Sequence, residues 1–468
     1  MRQRLLPLLA LLAIAGCSTG ALRQPFDVPT SFWPARSVAL SLSKGQGGTG
    51  RLPRRGGASP IKHVVFVVQE NRSFNNLFLD YPGATTANYG YDGSGNKVRV
   101  KPRSLGSAWD VGHDSSAFFA ACDGQGKLPG TDCKMDGWNN EKSAPGAPAN
   151  VAFSYVPRSQ IAAYWTIADQ FVLADHTFSS NLDGSFVAHQ YLVAAYSSRA
   201  VDYPINDWGC EGGKSDTVVT LLKTRAYGPS IPACFNNPSI ASEADATGIS
   251  WRFYAGTIYG DGGLWSSYQA IDKIYNGRDW SADVVSPPAQ FLTDVTAGKL
   301  AAITWITPTW ETSDHPSGDK PQGPAWIASV VNAVGESKFW KSTAIFVMWD
   351  DWGGFFDPVP PPHEDYDGLG FRVPLLIVSP YAKHGSVTHV QYETASVLRY
   401  VEDNFDFAPL AQADARADDP ANDAAAFDYG QKPRKFTPIA GSKPSAYWMR
   451  VELNSRIPRK PSGIIGDD

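Results

Sequence analysis

Hydrophobic positions in this chain come in short dense runs that close on polar residues or proline, and the rhythm starts near residue 61. The sharpest case is the stretch from His63 to Ser73, HVVFVVQENRS. Its Val/Phe run follows Pro60 and lacks the alternation of a half-exposed strand, so it reads as the central strand of a parallel sheet covered on both faces. Similar runs lie at Phe171 to Ala174, Leu300 to Thr307, Ala344 to Trp349 and Leu375 to Val378. Helical spacing runs from Trp326 to Val334 and from Tyr392 to Asn404, where Ala395, Leu398 and Val401 share one face. Strands alternating with helices predict an α/β fold, a three-layer α/β/α sandwich with a mostly parallel central sheet. Residues from about 204 to 263 break the rhythm and are expected to form a loop-rich, cap-like insertion.

The N-terminus follows a different pattern. Arg2 and Arg4 precede the apolar run Leu5 to Ile14, which is too short for a mature membrane span and suits the core of a signal peptide. The sequence Ile14-Ala15-Gly16-Cys17 resembles the lipobox of bacterial lipoproteins, which predicts a signal over residues 1–17 and lipidation of Cys17. An ordinary cleaved signal with an incidental Cys17 is the alternative. Lipid chains would hold the protein on a membrane surface. In a two-membrane bacterium, Ser18 after the cysteine fits sorting to the outer membrane, facing the periplasm. Residues 18–60 carry no apolar period and read as a flexible tether, leaving 61–468 as the folded body.

Composition narrows the class. A hydrophobic content of 43% with 15 Trp, 19 Tyr and 23 Phe is far from the signature of disorder. A net charge of -5 gives no electrostatic reason to expect nucleic acid as a partner. Apart from Cys17 the chain has Cys122, Cys133, Cys210 and Cys234, an even number in a chain with an export signal, which predicts two disulfides. Four cysteines allow three connectivities; local pairing, Cys122 with Cys133 and Cys210 with Cys234, is expected because each close pair lies in a loop-rich stretch. A cysteine zinc site would need a C-x-x-C spacing that the chain lacks.

Candidate chemistry collects where the apolar runs end. Ligands of open α/β sheets bind outside the carboxyl ends of the strands, and there Glu70 and Asn71 follow the first run. Asp350 and Asp351, in WDDWGG, follow another. Adjacent carboxylates repel and raise each other's pKa unless a cation lies between them. Glu70, Asn71, Asp350 and Asp351 together suit one hard divalent metal, whose identity the sequence leaves open. Gly353 and Gly354 would let the backbone pass close to it. Ser185, in NLDGS, lies outside any G-x-S-x-G elbow, but a metal held by those four residues would activate its hydroxyl as a nucleophile. His189 follows four positions later, and His113 (WDVGHD) and His315 (SDHPS) stand in polar loops where they would bind phosphate oxygens or protonate a leaving group.

Several motifs in order resemble the bacterial phosphoesterase family that includes phospholipases C and an acid phosphatase branch, within the alkaline-phosphatase-like superfamily. IKHVVFVVQENRSFNNLF from Ile61 is similar to its opening signature and MWDDWGGFFDPVPPP from Met348 to its late one. KMDGW at Lys134, WRFYAG at Trp251, TAGKLAAITWITPTWETSDHPS ending at Ser317, and GLGFRVPLLIVSPYAKHGSVTHVQYE from Gly368 add to the likeness. The resemblance implies an α/β/α hydrolase of phosphate esters with a single metal ion. It implies Glu70, Asn71, Asp350 and Asp351 as metal ligands and Ser185 as nucleophile and ligand. It implies catalytic or substrate-binding roles for His113 and His315, and His189 is expected at the substrate. The chain departs from the family around the nucleophile, with Asp183-Gly184 before it and Phe186-Val187-Ala188 after, which keeps Ser179, Ser180 and Thr177 as alternatives. It also has Asp357-Pro358 where many relatives have Asp-His. The expected activity is phosphate-ester hydrolysis through a phosphoseryl intermediate. Competing readings are a phospholipase C acting on membrane lipids and a catalytically silent envelope protein that binds phosphorylated ligands. A two-carboxylate glycosidase built on Asp350 and Glu70 would explain neither Asn71 nor the histidines.

Overall fold

A computed structural model describes residues 59–204, 208–257, 265–316 and 322–455. The predicted signal, Cys17 and nearly all of the predicted tether lie outside the described residues. Within residues 57–468 the described chain forms one unit. Its centre is an eight-stranded sheet. The strands are β1 (His63–Gln69), β2 (Val172–Ala174), β3 (Trp251–Tyr254), β4 (Val284–Val285), β5 (Ile303–Ile306), β6 (Thr343–Trp349), β7 (Leu375–Val378) and β8 (Ser386–Thr388). They lie in the order β4-β3-β5-β1-β6-β7-β2-β8. All neighbours are parallel except β7, which runs antiparallel to both β6 and β2.

The dense apolar runs are explained by burial on both faces. One register row crosses the sheet through Phe253, Trp305, Phe66, Phe346 and Ile377. On that face Phe66 stacks on Trp305 with ring centroids 5.1 Å apart. Two helices cover it, α2 (Ser185–Ala194) and α4 (Thr394–Phe405), preceded in the chain by α1 (Ala162–Gln170) and separated by α3 (Gly323–Gly335). Trp305 Nε1 donates to the Leu192 carbonyl of α2 at 3.0 Å, and Tyr400 of α4 packs edge-on against Phe346. Trp349, three residues beyond Phe346, points to the other face, where Tyr164 of α1 packs against it and α3 lies beside α1. This is the expected α/β/α sandwich.

The boundaries differ from expectation for local reasons. Helix α3 begins at Gly323 rather than Trp326, because Pro324 is tolerated in the first helical turn. Helix α4 begins at Thr394 because Tyr392 and Glu393 pair with Thr177 and Phe178, after which Glu393 and Ser396 form a capping box. The stretch expected as a cap is divided. Residues Ala200–Val201, Thr217–Thr220 and Ile231–Pro232 form a separate antiparallel sheet, but β3, within the expected insertion, belongs to the central sheet. Trp251 and Phe253 are buried there in register with β5, a placement that neighbouring strands determine and local pattern does not. The disulfides are the local pairs, Cys122–Cys133 and Cys210–Cys234.

Candidate active site

Strands β1 and β6 are neighbours near the middle of the sheet and end level with each other, Gln69 opposite Trp349. Their next residues are Glu70-Asn71 and Asp350-Asp351. The ladder continues past the strand ends, with Asp350 N–H on the Gln69 carbonyl at 3.0 Å and Arg72 N–H on the Asp351 carbonyl at 3.1 Å. Asn71 has φ +54, a left-handed conformation that asparagine tolerates and that ends the strand's alternation. Its backbone N–H donates to Asp350 Oδ1 at 2.9 Å. Gly353 and Gly354 both have positive φ, and a Cβ on Gly353 would lie 2.0 Å from the Asn71 carbonyl oxygen. The close backbone approach expected of these glycines is therefore present.

Ser185 is the first residue of α2, after Gly184, so its hydroxyl sits at the positive end of a ten-residue helix. Its Oγ donates to Asp351 Oδ2 at 3.2 Å and accepts from Asn71 Nδ2 at 3.1 Å. The same Nδ2 is 3.0 Å from Asp351 Oδ2 and 2.9 Å from His113 Nε2. His113 Nδ1 lies 2.7 Å from the Val111 carbonyl, which assigns the ring proton to Nδ1 and makes Nε2 the nitrogen facing Asn71. His189 is one helical turn beyond Ser185 and therefore on the same face. Its Nε2 is 3.2 Å from Glu70 Oε1 and 3.8 Å from Asp350 Oδ2. Thus Glu70, Asn71, His113, Ser185, His189, Asp350 and Asp351 form one connected cluster, with every side chain at 0% exposure.

His315 lies at the margin of this cluster. Its ring is 6.3 Å from that of His113 and packs against Trp310, and its Nδ1 is 2.6 Å from the Pro316 carbonyl. The alternative serines are engaged elsewhere: Ser180 Oγ donates to Glu393 at 2.8 Å and accepts from Ala395 N–H, and Ser179 Oγ accepts from Asn181 Nδ2. Thr177 lies in the strand pairing with Tyr392, and its hydroxyl is buried with no hydrogen bond among the described residues. Asp357, at the position of the family's Asp-His pair, takes both oxygens to Arg372, at 2.8 and 3.0 Å, in a fully buried pair.

Three carboxylates removed from water in one cluster call for compensating positive charge. Asp350 Oδ2 is buried and receives no hydrogen bond among the described residues, and atoms of Glu70, His189 and Asp350 lie within 4.8 Å of one another. The donor set of carboxylate, amide and hydroxyl oxygens with one imidazole fits a divalent cation.

Arg72 is the residue that the motif reading left unassigned. It is buried, and its guanidinium donates to the Asp314 carbonyl from Nε (2.9 Å) and Nη2 (2.7 Å) and to the Leu105 carbonyl (2.7 Å). Burial lowers its pKa to about 10, against the opposing pull of Asp314 and Asp110. It thereby ties the loop before His315 to the segment that carries Asn71. A cation directly after the Glu-Asn pair was the available signal.

A model of the Phosphoesterase family matches residues 61–408. Phospholipase C B of Mycobacterium tuberculosis is 25% identical, over 89% of this chain and 86% of that protein. A non-hemolytic phospholipase C of Pseudomonas aeruginosa is 25% identical over 75% of this chain and 55% of its own, and non-specific phospholipase C1 of Arabidopsis thaliana 24% over 70% and 62%. Among solved structures, a protein in the alkaline phosphatase superfamily from Vibrio parahaemolyticus overlaps 76% of this chain and 69% of its own at 9% identity and a TM-score of 0.34, too loosely to carry an argument. The family model spans the strand that leads into Glu70, the helix that starts at Ser185 and the strand that leads into Asp350, and the chain belongs to the Phosphoesterase family, a hydrolase of phosphoric ester bonds.

Proposed function

We propose that the chain hydrolyses phosphate esters with Ser185 as nucleophile and one divalent cation held by Glu70, Asn71, Asp350, Asp351 and Ser185, with His189 beside them. The observation that carries this reading is the position of Ser185 Oγ, at a helix N-terminus and between Asn71 Nδ2 and Asp351 Oδ2. A bound cation would supply the positive charge that stabilises an ionised hydroxyl and the phosphoryl oxygens. Asp351 Oδ2 accepts the Ser185 hydrogen bond, holds Oγ in one direction and takes its proton as the Oγ lone pair attacks phosphorus and the P–O bond to the leaving group breaks. His113 and His315 each direct Nδ1–H at a backbone carbonyl, so proton transfer falls to Nε2: the doubly protonated ring would give the Nε2 proton to the departing oxygen. Water then hydrolyses the phosphoseryl group and returns the serine.

The decisive experiment is steady-state hydrolysis of p-nitrophenyl phosphate and p-nitrophenylphosphorylcholine, with and without chelator. Ser185→Ala and Asp351→Asn should each lower kcat by roughly a thousandfold or more while the fold stays intact. Chelation should do the same and added divalent metal should reverse it. Full activity in Ser185→Ala would remove the serine mechanism, and no activity with any metal would favour a silent binder of phosphorylated ligands. A second reading, cleavage of phospholipid head groups at a bilayer, is favoured by the names of the relatives. Phosphatidylcholine vesicles offered beside the soluble esters separate the two.

The two disulfides fit a chain exported to an oxidising space, and no helix among the described residues is long and apolar enough to cross a membrane. The finer placement, in the cell envelope by a lipid on Cys17, predicts that Cys17→Ser moves the protein from the membrane to the soluble fraction. Unchanged fractionation would reject the anchor.

A further inference from the structure

At one edge of the sheet β2 and β8 pair in parallel as far as Ala174 opposite Thr388, and the two segments pair again where Thr177 meets Tyr392. Between these anchors one segment has two residues, Asp175 and His176, while the other has three, His389, Val390 and Gln391, so the longer one bulges. Asp175 N–H on the Thr388 carbonyl (3.1 Å) and Tyr392 N–H on the His176 carbonyl (2.9 Å) fix the ends of the bulge. Inside it, Asp175 Oδ1 is 2.7 Å from His176 Nδ1 and 2.8 Å from His389 Nδ1, with the two rings nearly perpendicular. Asp175 itself is buried and immobilised: Oδ2 accepts the Thr85 N–H at 2.8 Å and its carbonyl accepts Arg372 Nη1 at 2.6 Å. The imidazoles reach the surface, with side chains 27% and 59% exposed.

We propose that Asp175, His176 and His389 form a second cation site, separate from the candidate active site, for a borderline divalent ion such as Zn²⁺ or Cu²⁺. Three ligand atoms lie within 4.8 Å of one another on backbone that register already holds in place. Two imidazoles and one carboxylate suit Zn²⁺, Cu²⁺ or Ni²⁺ and disfavour Mg²⁺ and Ca²⁺, which take oxygen. An ion bound at Nδ1 takes each ring in the other tautomer, with its proton on Nε2, and solvent on the exposed side completes the coordination. An ion there would tie the segment leading toward Ser185 to the one leading into α4.

The test uses the full chain, stripped by chelator and dialysed against Zn²⁺, with bound metal counted per chain in wild type, His176→Ala, His389→Ala and Asp351→Asn. The two histidine variants should each bind one ion fewer than wild type, or bind it roughly tenfold or more weakly, while Asp351→Asn keeps that ion. Cu²⁺ bound to Asp351→Asn should show the electron paramagnetic resonance splitting of two nitrogen ligands. Equal stoichiometry and affinity in wild type and both histidine variants would overturn the proposal, as would loss of all zinc binding in Asp351→Asn alone. The latter result would leave the Ser185 mechanism standing. Circular dichroism checks the fold, and His389→Gln replaces any alanine variant that fails it.

Discussion

Asp314 shows how a buried group beside the site can make stability depend on pH. Its carbonyl is the one Arg72 grips, and its Oδ2 accepts from Tyr164 OH at 2.7 Å and from Trp349 Nε1 at 3.1 Å. Burial pushes its carboxyl up to about 6, although those two donors and the Arg72 charge pull the other way. The folded state therefore holds its proton to higher pH than the unfolded chain, whose carboxyl ionises near 4. Between about pH 4 and pH 6 the folded state binds more protons, so this group's contribution to stability is full below about pH 4 and falls as pH rises through 6. Asp314→Asn keeps an oxygen for both donors and cannot ionise. Urea unfolding across that range should show a smaller loss of stability with rising pH in the variant than in wild type, and identical slopes would refute the assignment. Residues of this kind were not legible in the sequence. Glu70, Asn71, Asp350 and Asp351 stood out because each pair ends a dense apolar run, whereas Arg72 takes its meaning from the carbonyls of Leu105 and Asp314, which are distant in the chain.

At the scale of elements, the site depends on two neighbouring strand ends being held at a fixed separation, and Gly353 is where that spacing is most exposed to test. Its φ is +60, which costs an L-residue roughly 1 kcal/mol. A Cβ there would also meet the Asn71 carbonyl oxygen at 2.0 Å and its carbon at 2.5 Å, both backbone atoms that move only if Asn71 moves. Gly353→Ala should therefore lower activity by at least tenfold, with a loss in Tm too small to leave the chain unfolded at assay temperature. Wild-type kcat/KM in that variant would show that the Asn71 position is not critical. The strands that build this framework were legible where they are buried on both faces, as in β1, β5, β6 and β7. The sheet's outer parts were not, because β4 has only two residues, β8 is a half-exposed Ser-Val-Thr segment, and β3 is recruited by its pairing with β5.

For the molecule as a whole, the ends of the central strands supply Glu70, Asn71, Asp350 and Asp351, and peripheral loops close around them under covalent restraint. Cys122 is buried in an apolar cluster with Phe118, Trp138 and Phe371, which packs around Trp352, the residue after Asp351. Cys210 follows Trp208 by two residues, and the Trp208 ring stands edge-on to His189. Each bridge thus backs a different wall of the site. The linked cysteines are 11 and 24 residues apart, and for loops of that length the lost freedom of the unfolded chain corresponds to roughly 3 kcal/mol per bridge. Replacing either pair by serine should lower unfolding free energy by about that amount. Because Trp352 adjoins Asp351 directly, removing the Cys122–Cys133 bridge should also lower kcat, whereas removing Cys210–Cys234 should act first on substrate affinity through the wall beside His189. Chemical denaturation and kcat and KM measured on the two double-serine variants check both parts. If both variants lost stability without any change in either kinetic constant, the bridges would be stabilising the chain without shaping the site.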